Sequence, residues 1–277
     1  MANLPGKCVF CGGGNLTKEH IWPNWLKPYI PRNALPISVH AMSLTATGPT
    51  GRFSIRKPGL LDRPGDSQSQ RLRVVCRSCN NGWMSRMQQS AKPILIPYLD
   101  GQWPSIPCVH QRILAAWATM FTMVVDVANE GTSSPYQQDR NRFFANQLPP
   151  PNWFIHVGAF RGHFWRGVFS HFAWVSDLEK QIEPSRVMDH IDSQTTAFVM
   201  GSLFIIVCRS SASREIRKMQ NFQRGRSLRR IWPLKERVVR RPPYVLDDFE
   251  ADEINAALQP GLPGEVRRAW ETHSTWF

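Results

Sequence analysis

Four of the six cysteines are spaced like the ligands of a zinc ion, in two C-x-x-C pairs: Cys8 with Cys11, and Cys76 with Cys79. Four thiolates satisfy tetrahedral Zn²⁺, and a two-residue spacer lets both members of a pair bind the same ion. The other two cysteines stand alone beside apolar residues, which is typical of a protein core: Cys108 and Cys208. We therefore predict one structural zinc ion, shared by two pairs that lie 64 residues apart.

A glutamate and a histidine lie close to the first pair in sequence. Glu19-His20 follows Cys11 by eight residues, and Asn80 directly follows Cys79. If one ion holds both cysteine pairs, the carboxylate, the imidazole and the amide come to one place. A hard cation such as Mg²⁺ prefers carboxylate and amide oxygens, and a neutral imidazole can take a proton from water. These side chains favour a one-metal site that hydrolyses a phosphodiester, where the cation stabilises charge on the scissile phosphate.

Each of these features also has an ordinary structural explanation. A Glu-His dipeptide alone is most often a pair of surface residues, and Asn80-Asn81 alone is typical of a helix N-cap. The tryptophans near the site are expected to pack over a small zinc fold rather than to stack on bases: Trp22, Trp25 and Trp83. The functional interpretation depends on the zinc ion that puts the dipeptide and the asparagine in register.

The pattern CVFCGGG…TKEHIWPNWL…VVCRSCNNGWM resembles the HNH endonuclease family in its four-cysteine zinc form, over residues 7–92. The resemblance implies a ββα-metal fold related to the treble clef, which cuts DNA and sometimes RNA with one divalent cation, Mg²⁺ or Mn²⁺. It implies that His20 is the general base, that Glu19 is a metal ligand and that Asn80 is the second ligand. Asn81 could substitute if the helix starts one residue later.

Three features depart from the family pattern. The family's middle asparagine, on the strand before the second cysteine pair, falls near Arg71 here, so the residue that orients the histidine is missing or comes from elsewhere. The segment between His20 and Cys76 is longer than usual. Gly82-Trp83-Met84 stands where the family commonly has a charge after the last pair.

The formal net charge is +13, from 34 basic and 21 acidic residues, and the pI is near 10. Such an excess attracts polyanions, of which nucleic acid is the usual one. Residues 209–241 hold twelve Lys and Arg against two acids, with Phe222 and Trp232 interleaved. This stretch fits a surface that follows a nucleic-acid backbone, and a solvated helix and loop fits it equally well. The candidate nucleic-acid contacts are Arg71, Arg73, Arg77, Arg224, Arg226, Arg229 and Arg230.

Periodicity predicts the elements that must position these residues. Arg71–Val75 alternates like a strand, and a helix is expected from Asn80 or Asn81 that ends before Pro93. His110–Ala128 has helical periodicity. Three later segments are rich in β-branched and aromatic residues and predict strands, with His156, His163 and His171 as packed or half-exposed residues in and between them: 152–160, 166–175 and 195–208. Residues 247–276 predict an amphipathic helix and a short tail.

The fold class predicted is α+β, with two domains. Residues 1–100 are expected to form a small zinc-stabilised ββα-metal domain, treble-clef-like, with a long irregular insertion at about 27–66. Residues 104–277 are expected to form a larger mixed α+β domain, basic at 209–241, for which the sequence suggests no chemistry.

Composition excludes several classes of protein. Apolar residues make up 42% of the chain, which is not a disordered composition. The N-terminus lacks the apolar segment of a signal peptide, and the longest apolar run, 114–127, is shorter than the roughly 20 residues that span a bilayer. We therefore expect a cytoplasmic protein with no membrane partner, whose cysteines are thiols or metal ligands.

Two functions from different classes remain after sequence analysis. One is a metal-dependent endonuclease with DNA favoured over RNA, of a defence or mobile-element kind, regulated by its C-terminal domain. The other is a zinc-stabilised nucleic-acid-binding or interaction module without catalysis. A single active site per chain would need a homodimer, or two visits, to cut both strands, and a regulatory protein partner could act on the C-terminal domain.

Overall fold

A computed structural model describes residues 6–32, 39–40, 46–48, 51–53, 68–127, 137–176, 190–221 and 227–257. The fold is mixed α+β, with the four cysteines gathered near the N-terminus. At this level the predicted fold class is confirmed. Two of the candidate nucleic-acid contacts, Arg224 and Arg226, and the end of the predicted C-terminal helix lie outside the described residues.

The first sheet is an antiparallel pair of strands, β1 (Leu16–His20) and β5 (Arg71–Cys76). Leu16 lies opposite Cys76 and His20 lies opposite Arg71, with an irregularity in register between Thr17 and Glu19. The cysteine cluster therefore lies at one end of this strand pair, and the Glu-His dipeptide lies at the other.

The insertion between β1 and β5 was expected to be irregular, and this is wrong at several positions. It begins with a 3-10 helix, Asn24–Tyr29, and it contains the short strands β2 (Val39–His40), β3 (Ala46–Gly48) and β4 (Gly51–Phe53). β2 runs parallel to a strand of the C-terminal sheet. A partner so far along the chain leaves no local pattern for sequence analysis to find.

A nearly continuous helical segment begins inside the second cysteine pair, in three parts: α1 (Arg77–Cys79), a π-helical turn Asn80–Met84, and α2 (Ser85–Leu99). The predicted start at Asn80 or Asn81 is wrong, because Cys76 is the N-cap. The predicted end before Pro93 is wrong, because α2 continues through Pro93 and Pro97. A proline inside a helix loses one backbone hydrogen bond. Burial of one face of α2, including Leu95 and Leu99, favours the helix instead.

Within the described part of the chain, seven strands form the main sheet, in the order β11-β7-β10-β9-β8-β2 with β13 beside β7. The strands not yet given are β7 (Trp153–Phe160), β8 (Phe169–Trp174), β9 (Ser193–Met200), β10 (Leu203–Ser210), β11 (Arg229–Trp232) and β13 (Val245–Leu246). A separate pair joins β6 (Ile106–Pro107) to β12 (Val238–Val239).

The predicted strand segment 195–208 is two antiparallel strands rather than one. The chain turns at Gly201, which has a φ of +51°. A Cβ added there would lie 2.5 Å from the carbonyl oxygen of Leu99, so the turn requires glycine both for its backbone and for its space. The apolar run hides this turn because both strands are buried.

Helices cover both faces of the main sheet. Alternate strand residues point to opposite faces, and Ile155 and Ile205 share a cluster with α3 (Cys108–Val125), close to its predicted bounds. Phe154 and Ile206 share another cluster with residues of α5 (Ser213–Asn221) and α6 (Asp248–Ala257). The remaining helix is α4 (Gln137–Asn146). α3 is long and apolar enough to cross a membrane by length and composition alone, and 72% of it is buried inside the fold.

One apolar cluster runs from the cysteine-rich segment into the main sheet. It includes Phe10, Trp22, Trp117 and Phe198. The ring of Trp22 lies 4.8 Å from that of Phe121, centroid to centroid. Trp22 is therefore a packing residue as predicted, but it packs against α3 and the main sheet rather than over the cysteine cluster. The described parts of the two predicted domains share a core.

Gln88 on α2 holds two indole rings together. Its Oε1 accepts a 3.2 Å hydrogen bond from Trp25 Nε1 and a 2.8 Å bond from Trp117 Nε1. Trp117 is fully buried, so its N–H has no water to replace the amide. This one acceptor connects the insertion, α2 and α3.

We expect Gln88→Ala to lower the free energy of unfolding by about 2 kcal/mol, because it removes two hydrogen bonds and leaves the Trp117 N–H buried without an acceptor. Gln89→Ala is the matched control, since Gln89 is the next residue of the same helix and is exposed. Urea denaturation followed by tryptophan fluorescence measures both. Equal stability of the two variants would contradict the role given to Gln88.

Candidate metal centre and polar site

The four sulfur atoms of the two C-x-x-C pairs lie within 4.8 Å of one another. Tetrahedral zinc with Zn–S bonds of about 2.3 Å places its ligands about 3.8 Å apart. Three of the cysteines are buried, and Cys11 is exposed. The donor set and its size therefore fit a metal ion such as zinc.

Local turns set each pair around this centre. At the first pair, Gly12 donates its N–H to the carbonyl oxygen of Cys8 at 2.9 Å and has a φ of +70°, which favours glycine. At the second pair, Cys76 ends β5 and caps α1, and its Sγ accepts the N–H of Cys79 at 3.4 Å. The first pair thus lies in a tight turn and the second at a junction between strand and helix, and in each the two sulfurs face the same centre.

Cys11, Cys76 and Cys79 differ in their thiol pKa values. Burial raises the pKa of Cys11 and of Cys79. Burial also acts on Cys76, but the N–H of Cys79 and the neighbouring thiols bring the pKa of Cys76 down to about 7. A thiolate is the form that binds metal, so loading the centre releases protons.

Asn80 lies directly beside Glu19, as the sequence pattern required. Its Nδ2 donates to Thr17 Oγ1 at 3.0 Å, and its side chain also hydrogen bonds Glu19. Thr17 and Glu19 both contact the Asn80 side chain, so they face the same side of β1 in spite of the irregularity in register between them. Because its amide nitrogen is directed at these two residues, Asn80 turns Oδ1 away from Glu19, and the amide must rotate before Oδ1 and the Glu19 carboxylate can bind one cation.

The Glu19 carboxyl is held close to neutral. Burial raises its pKa to about 7, and the hydrogen bond from Asn80 opposes that rise. A carboxylate costs free energy where water is excluded, unless a positive charge lies close to it. The site therefore has the donor chemistry of a hard cation site: one carboxylate and one amide oxygen.

His20 is paired with Arg71, its partner across the strands. Arg71 Nε donates to His20 Nε2 at 2.9 Å, which places the proton of a neutral imidazole on Nδ1. Partial burial lowers the pKa of His20, and the charges of Arg71 and Lys27 lower it further. His20 is therefore neutral at pH 7, with its Nε2 lone pair engaged by Arg71.

Sequence analysis missed two of these contacts. Arg71 was predicted to bind nucleic acid. It contacts His20 from the position where the family pattern has the asparagine that orients the histidine. Thr17 was not singled out, although its spacing of two from Glu19 was a usable signal. Glu19 hydrogen bonds Asn80, and His20 hydrogen bonds Arg71, so the two neighbours on β1 have different partners.

The other predicted site residues lie at the surface or on another sheet. Asn81, Arg73 and Arg77 are exposed beside the site. Arg229 and Arg230 are half-buried on β11, where Arg230 lies opposite the buried His156. His163 and His171 were predicted to be packed or half-exposed. His171 is buried, as predicted, whereas His163 is exposed.

Comparison with known proteins gives no relative. No family model, curated protein or solved structure matches this chain. The functional argument therefore depends on the geometry of the site.

We expect about one zinc ion per chain by elemental analysis, because four sulfurs at this spacing satisfy the ion. Cys76→Ser should bring the zinc content below about half an equivalent and lower the melting temperature, since metal binding contributes directly to folding. Cys108→Ser is the control, because Cys108 lies outside the cluster and only donates to backbone carbonyls. Full zinc loading of Cys76→Ser would contradict the assignment of the four cysteines as the zinc site.

Proposed function

We propose that this protein is a metal-dependent endonuclease of the HNH type, built on a zinc-stabilised ββα unit made by β1, β5 and the helical segment from Arg77. The contact between Asn80 and Glu19, next to the four-cysteine cluster, is the observation that carries this proposal. Two residues 61 positions apart, each adjacent in sequence to the zinc frame, meet as a carboxylate and an amide.

In this proposal the four cysteines hold a structural zinc ion, and Glu19 with Asn80 holds Mg²⁺ or Mn²⁺. The divalent cation would supply charge stabilisation at the scissile phosphate and the leaving oxygen. Thr17 and Glu19 hold the Asn80 amide nitrogen at rest, so the amide would rotate to bring Oδ1 to a cation bound by Glu19. Arg73 and Arg77, exposed beside the site, supply positive charge for the phosphate backbone.

His20 acts as the general base through Nε2. Its neutral state at pH 7 supports this role, because a base must be unprotonated to accept a proton. Arg71 occupies that lone pair at rest, so an incoming phosphate must draw the guanidinium away. Arginine pairs readily with phosphate in a forked geometry, which leaves Nε2 facing the attacking water.

The second candidate is a zinc-stabilised nucleic-acid-binding module without catalysis. The Arg71–His20 hydrogen bond favours it, because an arginine that stays on Nε2 prevents proton transfer. Nucleic acid, with DNA favoured over RNA, is the partner in both proposals, on the grounds of the +13 charge.

We expect His20→Ala to reduce cleavage of plasmid DNA in Mg²⁺ or Mn²⁺ by at least about 100-fold, because it removes the general base. Zinc content should not change, since His20 is no part of the cluster. His163→Ala is the control, because His163 is an exposed histidine far along the chain. DNA and RNA substrates are tested in parallel.

Wild-type protein that cleaves none of these substrates would reject the nuclease and leave the binding module. Cleavage by His20→Ala at the wild-type rate would place the activity at another site.

Cation binding should strengthen as pH rises, because only the ionised Glu19 is a ligand. Its pKa of about 7 means that the carboxyl is mainly protonated below pH 7 and mainly ionised above it. Mn²⁺ affinity of the zinc-loaded protein should therefore rise about tenfold per pH unit below 7 and level off above it. Calorimetry measures this, and Glu19→Gln should bind weakly at every pH. A wild-type affinity that is flat from pH 5.5 to 8 would contradict the assignment.

A further inference from the structure

An open cavity of about 740 Å³ lies where β11 and β12 approach each other in the C-terminal region. Its lining combines three arginines with one carboxylate and two apolar side chains: Arg229, Arg237, Arg240, Glu236, Leu228 and Val238. Small-molecule sites in proteins have volumes of roughly 300–1,000 Å³. The cavity is therefore large enough for a small organic anion.

The segment that carries these side chains is fixed to the start of α3. Cys108 donates its N–H to the carbonyl oxygen of Arg237 at 3.0 Å. Gln111, itself fully buried, donates from Nε2 to the carbonyl oxygen of Glu236, also at 3.0 Å. Val238 pairs with Pro107 in the β12–β6 ladder. A rigid backbone thus presents exposed guanidinium groups, which lowers the cost of ordering them around a ligand.

The three arginines outnumber Glu236, the carboxylate among the lining residues, so the lining carries a net positive charge. Among the ion pairs formed by described residues, none involves Arg229, Arg237 or Arg240. Arg229 Nη1 donates to the carbonyl oxygen of Leu228 at 3.3 Å. Three guanidinium groups around one space favour an anion, and phosphate oxygens match their planar donors.

The remaining lining restricts which anion fits. Glu236 opposes a bare anion, but its carboxylate can accept hydrogen bonds from an amino or hydroxyl group, as acidic side chains do from the amino group of cytosine. Val238, which is 45% exposed, adds an apolar surface for a ring. A nucleotide brings all three parts together: a phosphate, hydrogen-bond donors and a flat ring.

We propose that the cavity lined by Arg229, Arg237 and Arg240 binds a nucleotide unit through its phosphate, with Glu236 accepting from the base or the sugar. The unit comes either from a nucleic-acid strand or from a free nucleotide. If the unit belongs to a nucleic-acid strand, the inference rests on the proposed function, because the cavity is then where the C-terminal region binds the strand. The site is separate from Glu19, His20 and Asn80.

The test uses the full-length, zinc-loaded His20→Ala protein, so that a bound strand stays intact. Fluorescence anisotropy follows a labelled single-stranded DNA of about 15 nucleotides, a length typical of such sites, and unlabelled AMP and inorganic phosphate serve as competitors. Arg237→Ala/Arg240→Ala is compared with Arg142→Ala/Arg161→Ala. The control pair also removes two exposed positive charges, and neither residue lines the cavity.

We expect the cavity variant to weaken DNA binding about tenfold more than the control pair does. The slope of log affinity against log salt concentration should fall by more than the equivalent of one phosphate contact. Displacement of the DNA by AMP, with AMP binding lost in the cavity variant, would assign the site to free nucleotides. DNA binding with no effect of AMP would assign it to a strand.

Equal weakening by both double variants would overturn the proposal, because net charge alone would then explain binding. Inorganic phosphate that competes as well as AMP would overturn the role given to Glu236 and Val238. The proposed function is judged separately, by cleavage with the wild-type protein. Absence of cleavage with cavity-dependent binding rejects only the nuclease, whereas cleavage with unchanged binding rejects only the cavity.

Discussion

The meeting of four cysteine sulfurs is the constraint on which the candidate site depends. Cys11 and Cys76 are 65 positions apart, and their sulfur atoms lie 3.5 Å from each other. Bringing the ends of such a loop together costs chain entropy. The β1–β5 ladder and a bound metal ion can offset that cost. Because Asn80 directly follows the last cysteine and Glu19 lies on β1, the same closure brings the amide to the carboxylate.

Packing against the main sheet then holds the strand pair in place. Trp22, two residues after the end of β1, enters the core beside Phe121 of α3. Gln88 connects the indoles of Trp25 and Trp117. The unit formed by β1, β5 and α1 is too small to bury much apolar surface alone. Here its core continues into that of the sheet, so the polar site has the support of a larger fold, and damage to α3 should reach it.

Burial explains the electrostatics of the Glu-His dipeptide. It raises the pKa of Glu19 and lowers that of His20, so both side chains move towards neutrality near pH 7. Loss of water disfavours either charge. The two residues differ in their partners, since Asn80 offers Glu19 an amide while Arg71 covers the lone pair of His20. A cation and a phosphate would act on these two contacts in opposite ways, stabilising the carboxylate and withdrawing the arginine.

Short spacings in the sequence were enough to predict the cysteine cluster and α3. The two C-x-x-C pairs predicted that four sulfurs meet, and that Glu19 and Asn80 come together with them, while the 3.6-residue period located α3. The tertiary structure adds that α2 continues through Pro93, that the chain turns at Gly201, that Arg71 contacts His20 and that three arginines line one cavity: Arg229, Arg237 and Arg240. Each of these depends on residues far apart in sequence, whose packing outweighs local preference and leaves no periodic pattern in the chain.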